Sequence, residues 1–69
     1  MYRVELQGIF EESIKAKSAK DALVKALKIN GFKASITKER DYVTGKAFVT
    51  DLETKVVEEF LLNKIQWIG

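Results

Sequence analysis

Apolar and polar positions alternate from the second residue: Tyr2, Val4 and Leu6 stand between Arg3, Glu5 and Gln7. Period two predicts a half-buried strand, which Gly8 ends. A short loop over Ile9 to Ser13 and a second strand through Ile14 and Ala16 then make a hairpin that runs into Ser18. From there the period changes. Ala19, Ala22, Leu23, Ala26, Leu27 and Ile29 fall on one arc of a 3.6-residue helix, with Lys20, Asp21, Lys25 and Lys28 on the other. Ser18 is a good N-cap and Asp21 an acid in the first turn. Gly31 can take the left-handed C′ conformation, with Phe32 placed to fold back onto the last turn. Three alanines on the apolar arc let this helix lie close to a sheet.

Period two returns after Gly31. Phe32, Ala34 and Ile36 predict a third strand, and the charged run Lys38-Glu39-Arg40-Asp41 its exit. Tyr42 to Thr50 reads as a fourth strand, with Gly45 marking a bulge or a close backbone approach. With no proline to protect an edge, edge strands must be blunted by lysine or by pairing. The last third carries two patterns. Val56-Val57, Glu58-Glu59, Phe60-Leu61-Leu62 has helical spacing, and Thr50 with Glu53 would cap a helix over about 52–65. Asp51 to Lys55 instead has the polarity and length of a hairpin loop, and Phe60-x-Leu62-x-x-Ile65-x-Trp67 suits a closing strand. We favour the hairpin. The expected fold is a single α+β domain over residues 1–69, ββα followed by a β-meander with one helix on a small antiparallel sheet. The alternative is ββαββα.

The opening, Tyr2-x-Val4-x-Leu6 through Ile14-x-Ala16-x-Ser18 into an alanine-rich helix, resembles the hairpin–helix start of several small proteins. The DpnD/PcfM-like proteins of restriction operons and conjugative elements are among them. The resemblance covers less than half the chain, and no residue role is carried over from it. Small size alone suggests a phage or mobile-element protein.

Composition narrows the chemistry. The 69 residues include no cysteine and no histidine. That removes disulfides, thiolate ligands and the commonest ligand of zinc, copper and iron. No loop of alternating Asp and Asn suggests calcium, so neither a metal nor a cofactor is expected. A nucleophile would have to be a serine, threonine or lysine, and Ser18 is better used as a cap. Glu11-Glu12 and Glu58-Glu59 are adjacent pairs whose side chains diverge on a strand, so neither forms an acid–base dyad. The chain is therefore expected not to be an enzyme. No apolar run is long enough to cross a membrane, and the start lacks a signal-peptide core, so the cytoplasm is the expected compartment.

The net charge of +2 is unevenly spread: residues 15–46 carry +6, and the segments on either side carry −2 each. Neighbouring strands of opposite charge account for this simply. Alternatively, Lys33, Lys38, Arg40 and Lys46 around Tyr42 form a basic surface for nucleic acid. A protein partner has the stronger motive. Val57 and Leu61 point one way along the last strand, Val56, Phe60 and Leu62 the other, and one short helix covers only one set. Val57, Leu61, Trp67 and Ile68 are the candidate interface residues. The expected function is a small binding module acting through protein–protein contact, with a second copy (a homodimer) or a larger protein as partner. A nucleic-acid-binding domain using region 33–46 is the alternative.

Overall fold

The computed structural model describes residues 1–40 and 43–69. Along the chain run β1 (Tyr2–Leu6), β2 (Phe10–Ile14), α1 (Ala19–Ile29), β3 (Phe32–Thr37), β4 (Gly45–Asp51) and β5 (Val57–Trp67). This is the expected α+β arrangement, with one helix on a five-stranded antiparallel sheet.

β1 forms where the alternation predicts, with Val4 and Leu6 buried and Arg3 and Glu5 exposed. β2 starts earlier than expected. Gly8 takes φ +79°, and the Ile9 N–H donates to the Leu6 carbonyl at 2.9 Å. The chain therefore turns within three residues, and Phe10 already faces Leu6. Residues 10–13, read as loop, belong to the strand, and Ala16 lies beyond its end.

Helix α1 has the expected ends. Ser18 Oγ accepts from the Asp21 N–H at 3.1 Å, while the Asp21 carboxylate reaches past Ser18 to the Lys17 N–H at 3.4 Å. Gly31, at φ +77°, donates to the Lys28 carbonyl at 3.1 Å and closes the C-terminus. Ala22, Leu23, Ala26 and Leu27 are buried. Ile29 is the exception on the apolar arc at 67 % exposure, because it lies in the last turn, at the rim of the buried stripe.

The strand order is β2-β1-β4-β5-β3. Helix α1 thus carries the chain over one face, from the β2 edge to the β3 edge. Only β4 and β5 are joined as a hairpin among the last three strands, and β3 lies outside β5. Val4, Leu6, Ala47, Val49 and Leu62 supply the sheet side of the core, with Val4 opposite Val49 and Leu6 opposite Ala47. The sheet curls toward the helix. Phe10 on one edge strand and Phe32 on the other bring their ring centroids within 6.0 Å.

The alternative helix over 52–65 does not form. Asp51 Oδ1 accepts from the backbone N–H groups of Glu53 and Thr54 at 2.9 and 3.3 Å. Lys55 takes φ +65°, and the Asp51 N–H bonds to the Val56 carbonyl. These bonds close a hairpin loop where Thr50 and Glu53 would have capped a helix. The helix-like runs Val56-Val57 and Phe60-Leu61-Leu62 come from a strand that carries apolar residues on both faces. Lys33 faces Gln66, but Ser35 faces Asn63, so Ala34 lies against two residues, Lys64 and Ile65. This bulge, with Lys64 at φ +53°, shifts the phase of β5. Phe60 and Leu62 before it, and Ile65 and Trp67 after it, all lie on the helix side of the sheet. Gly45 marks a close approach and not a bulge: a Cβ there would stand 2.5 Å from Ile65 Cδ1.

Candidate functional site

The structure divides the four interface candidates between two places. Val57, 57 % exposed, and Leu61, half-buried, lie on the sheet face away from the helix. Their neighbours across the strands are Thr50 for Val57, and Lys46 and Thr37 for Leu61. Phe48 adds a third apolar side chain between Glu5 and Glu59. Two ion pairs also lie on this face, Lys46 with Glu59 at 4.0 Å and Arg3 with Glu11 at 3.8 Å. Because the sheet curls toward the helix, this open face is convex. Trp67 and Ile68, 72 and 66 % exposed, sit elsewhere. Trp67 faces Phe32, and the Ile68 N–H donates to the Gly31 carbonyl at 2.7 Å, which places both where α1 ends and β3 begins.

The basic candidates divide as well. Lys46 is on β4, in its ion pair. Lys33 is at the start of β3, and Lys38 and Arg40 follow its end, all three exposed. Lys33 and Lys38 are five residues apart, roughly 17 Å along an extended strand. Tyr42 lies outside the described residues. Lys33, Lys38 and Arg40 therefore share one feature, the β3 edge of the sheet.

That edge has a definite hydrogen-bonding state. Among the described residues β3 pairs with β5 alone. The Gly31 carbonyl receives the Ile68 N–H, so odd-numbered residues of β3 turn their backbone groups toward β5. Alternation leaves the N–H and C=O of Phe32, Ala34 and Ile36 aimed at the free side. The side chains of the same three residues point to the helix side. With Val24, Leu27, Lys28 and Ile68 they line a groove of about 270 Å³. Beyond the C-terminal end of β3 the surface continues into a second hollow bordered by Lys20, Lys38, Arg40 and Glu58. The sequence marks Phe32, Ala34 and Ile36 only as the apolar side of a third strand, and Val24 is not singled out. Its signal is an apolar residue flanked four positions away on each side by Lys20 and Lys28, on the arc otherwise given to charge.

For chemistry the surface offers little. Among the described residues no three Asp or Glu side chains converge as metal ligands. The carboxylate of Asp51 is held below its ordinary pKa of 3.8, chiefly by the backbone N–H of Glu53 and also by that of Thr54, and it serves the hairpin loop. No helix among the described residues is long and apolar enough to cross a membrane. Compared with protein-family models, curated proteins and solved structures, the chain finds no match, so the resemblance of its hairpin–helix start assigns no family.

Proposed function

We propose that this chain is a non-catalytic protein-binding module that receives its partner along the β3 edge. One observation carries the reading. Three residues of an edge strand present backbone groups with no partner among the described residues, beside an apolar groove whose rim includes the exposed side chains of Val24 and Ile68. Exposed strand edges are templates for another strand, and proteins that do not use them cover, distort or charge them; within β3 the one charge is Lys33, which leaves the edge open to a strand of opposite sign. Adding a strand to such an edge is a recurrent way of binding extended peptides, with main-chain bonds giving affinity and alternate side chains giving selectivity. The open sheet face is the weaker surface: it is convex, and four of its charges are tied up in the pairs Lys46–Glu59 and Arg3–Glu11.

Selecting a displayed random-peptide library against the immobilised protein tests this. Recovered peptides should bind the wild type and lose about tenfold or more on Ala34→Pro, since one lost hydrogen bond to a desolvated partner is of that order. Proline at position 34 removes an outward N–H and leaves the bonds to β5 in place. Val24→Lys, on the exposed rim, should weaken the same peptides without touching the sheet. Peptides that ignore both changes and respond to Leu61→Lys would move the contact to the open face. A library that yields no binder would overturn the reading.

A further inference from the structure

Resting on that edge reading, we infer that the occupant is an extended acidic segment of another protein, alternating apolar and carboxylate side chains, which adds to the sheet as a sixth strand beside β3. The register defines what each of its positions meets. Residues placed opposite Phe32, Ala34 and Ile36 send their side chains to the helix side, into the groove under Val24 and Leu27. That groove is small and apolar, and it suits branched aliphatic groups. The intervening residues turn to the other face, beside Lys33, Ser35 and Thr37.

Charge selects the partner. Lys28 borders the groove on the helix, Lys33 stands at the start of the edge strand, and Lys20, Lys38 and Arg40 border the hollow at its end. Against these five cations stand Glu39 in the loop and Glu58 in the hollow, while Glu59 is engaged by Lys46. Positive charge thus stands at both ends of the edge: a carboxylate on the open face meets Lys33, and the acidic ends of the segment meet Lys28 at one end and Lys20, Lys38 and Arg40 at the other. The same feature argues against a second copy as occupant. Pairing β3 with β3 would bring two sets of the same five cations together, and like charges across a strand pair are destabilising.

Three seven-residue probes decide the matter: alternating glutamate and valine, alternating lysine and valine, and the glutamate peptide with its valines grouped at one end. Binding is read by amide chemical shifts of the ¹⁵N-labelled protein. The alternating acidic peptide should bind, move the amides of Phe32, Ala34 and Ile36, and weaken steeply as salt rises. The lysine peptide should not bind, and the grouped peptide should bind about tenfold or more weakly, having lost its register. Lys33→Glu with Lys38→Glu should reverse the preference between the two charged peptides. Val24→Lys should weaken the acidic peptide in a protein whose melting temperature is unchanged. If the lysine peptide binds as well as the acidic one at these amides, the charge inference fails and the edge reading stands. If no probe binds but library peptides do at this edge, the inference again fails alone. Shifts confined to Phe48, Glu59 and Leu61 overturn both. Tighter binding of a short oligo-deoxythymidine to these amides makes the edge a nucleic-acid site and overturns both as well. Growth in size without any ligand, reversed by Lys33→Glu, would assign the edge to a second copy and overturn the inference.

Discussion

Gly31 joins the end of α1, the start of β3 and the C-terminal residues of β5, so replacing it by alanine probes the corner that holds the candidate edge in place. Two separate effects follow from its geometry. Its φ of +77° is left-handed, which costs an L-residue about 1–2 kcal/mol. Its missing Cβ would also stand 2.7 Å from the carbonyl carbon of Gly69 and 3.3 Å from Trp67 Nε1. Something there must move, and the bond from the Ile68 N–H to the Gly31 carbonyl, 2.7 Å long, is the contact at risk. Losing it costs roughly another 1 kcal/mol. Alanine in place of glycine restricts the unfolded chain and returns about 0.4–1 kcal/mol. The net expectation is a loss of about 1–3 kcal/mol, against a total stability for a chain of this size on the order of 3–10 kcal/mol. Gly8 is the control. It has the same left-handed φ, +79°, but nothing within 4 Å of where a Cβ would go. Gly8→Ala should therefore cost only the backbone part, about 0–1.6 kcal/mol after the same offset and about 1 kcal/mol less than Gly31→Ala. Urea unfolding followed by far-ultraviolet circular dichroism gives both values. Trp67 fluorescence should also change in Gly31→Ala and stay unchanged in Gly8→Ala. Equal losses in the two variants, with Trp67 undisturbed in both, would refute the contact between the helix end and the end of β5.

Other outcomes follow from the core, the loop and the composition. Ala26→Asp should unfold the domain, since Ala26 is fully buried on the sheet-facing side of α1. Lys25→Asp should cost only about 0.5–1 kcal/mol, through the lost pair with Asp21 at 3.4 Å and the new like charge four residues away; equal melting of the two variants would contradict the helix face. Because the Asp51 carboxyl is held below its ordinary 3.8 in the folded state, its contribution is present at neutral pH and is lost as pH falls through the lowered value. Asp51→Ala should thus be less stable than wild type at pH 7, with a smaller further loss on acidification, read from urea midpoints across the acid range. With no histidine or cysteine, a chelator should leave the melting temperature unchanged, and a reproducible drop would reveal a carboxylate-held metal.

β1, α1 and β3 were legible because each keeps one period from end to end, and Ser18 and Gly31 mark the helix limits. β2 was legible only in part. Glu11-Glu12-Ser13 breaks the alternation because the strand lies at an edge, with water on one side and little to bury. β5 invited a helical reading because apolar residues occupy both its faces, Val57 and Leu61 on one and Phe60 and Leu62 on the other, and its bulge, which inserts Lys64 before Ile65, carries that spacing on. The same inserted residue explains why Leu61 and Trp67, chosen as one patch from their apolar character, lie on opposite faces of the sheet. Strand order was not legible, since it depends on where α1 sets the chain down across the sheet. Being an edge is a property of that order. The unpaired backbone of Phe32, Ala34 and Ile36 therefore has no signature in the local sequence, although the lysines around it do.

The central claim is that the outward side of β3 is open in the free protein, and residue-resolved amide hydrogen exchange tests it without any ligand. The N–H groups of Phe32, Ala34 and Ile36 should exchange quickly, while those of Ser35 and Thr37, turned toward β5, should be protected by a large part of the global unfolding free energy. Slow exchange at all five residues would contradict the account, because it would mean that the edge is already covered and has no partner to wait for.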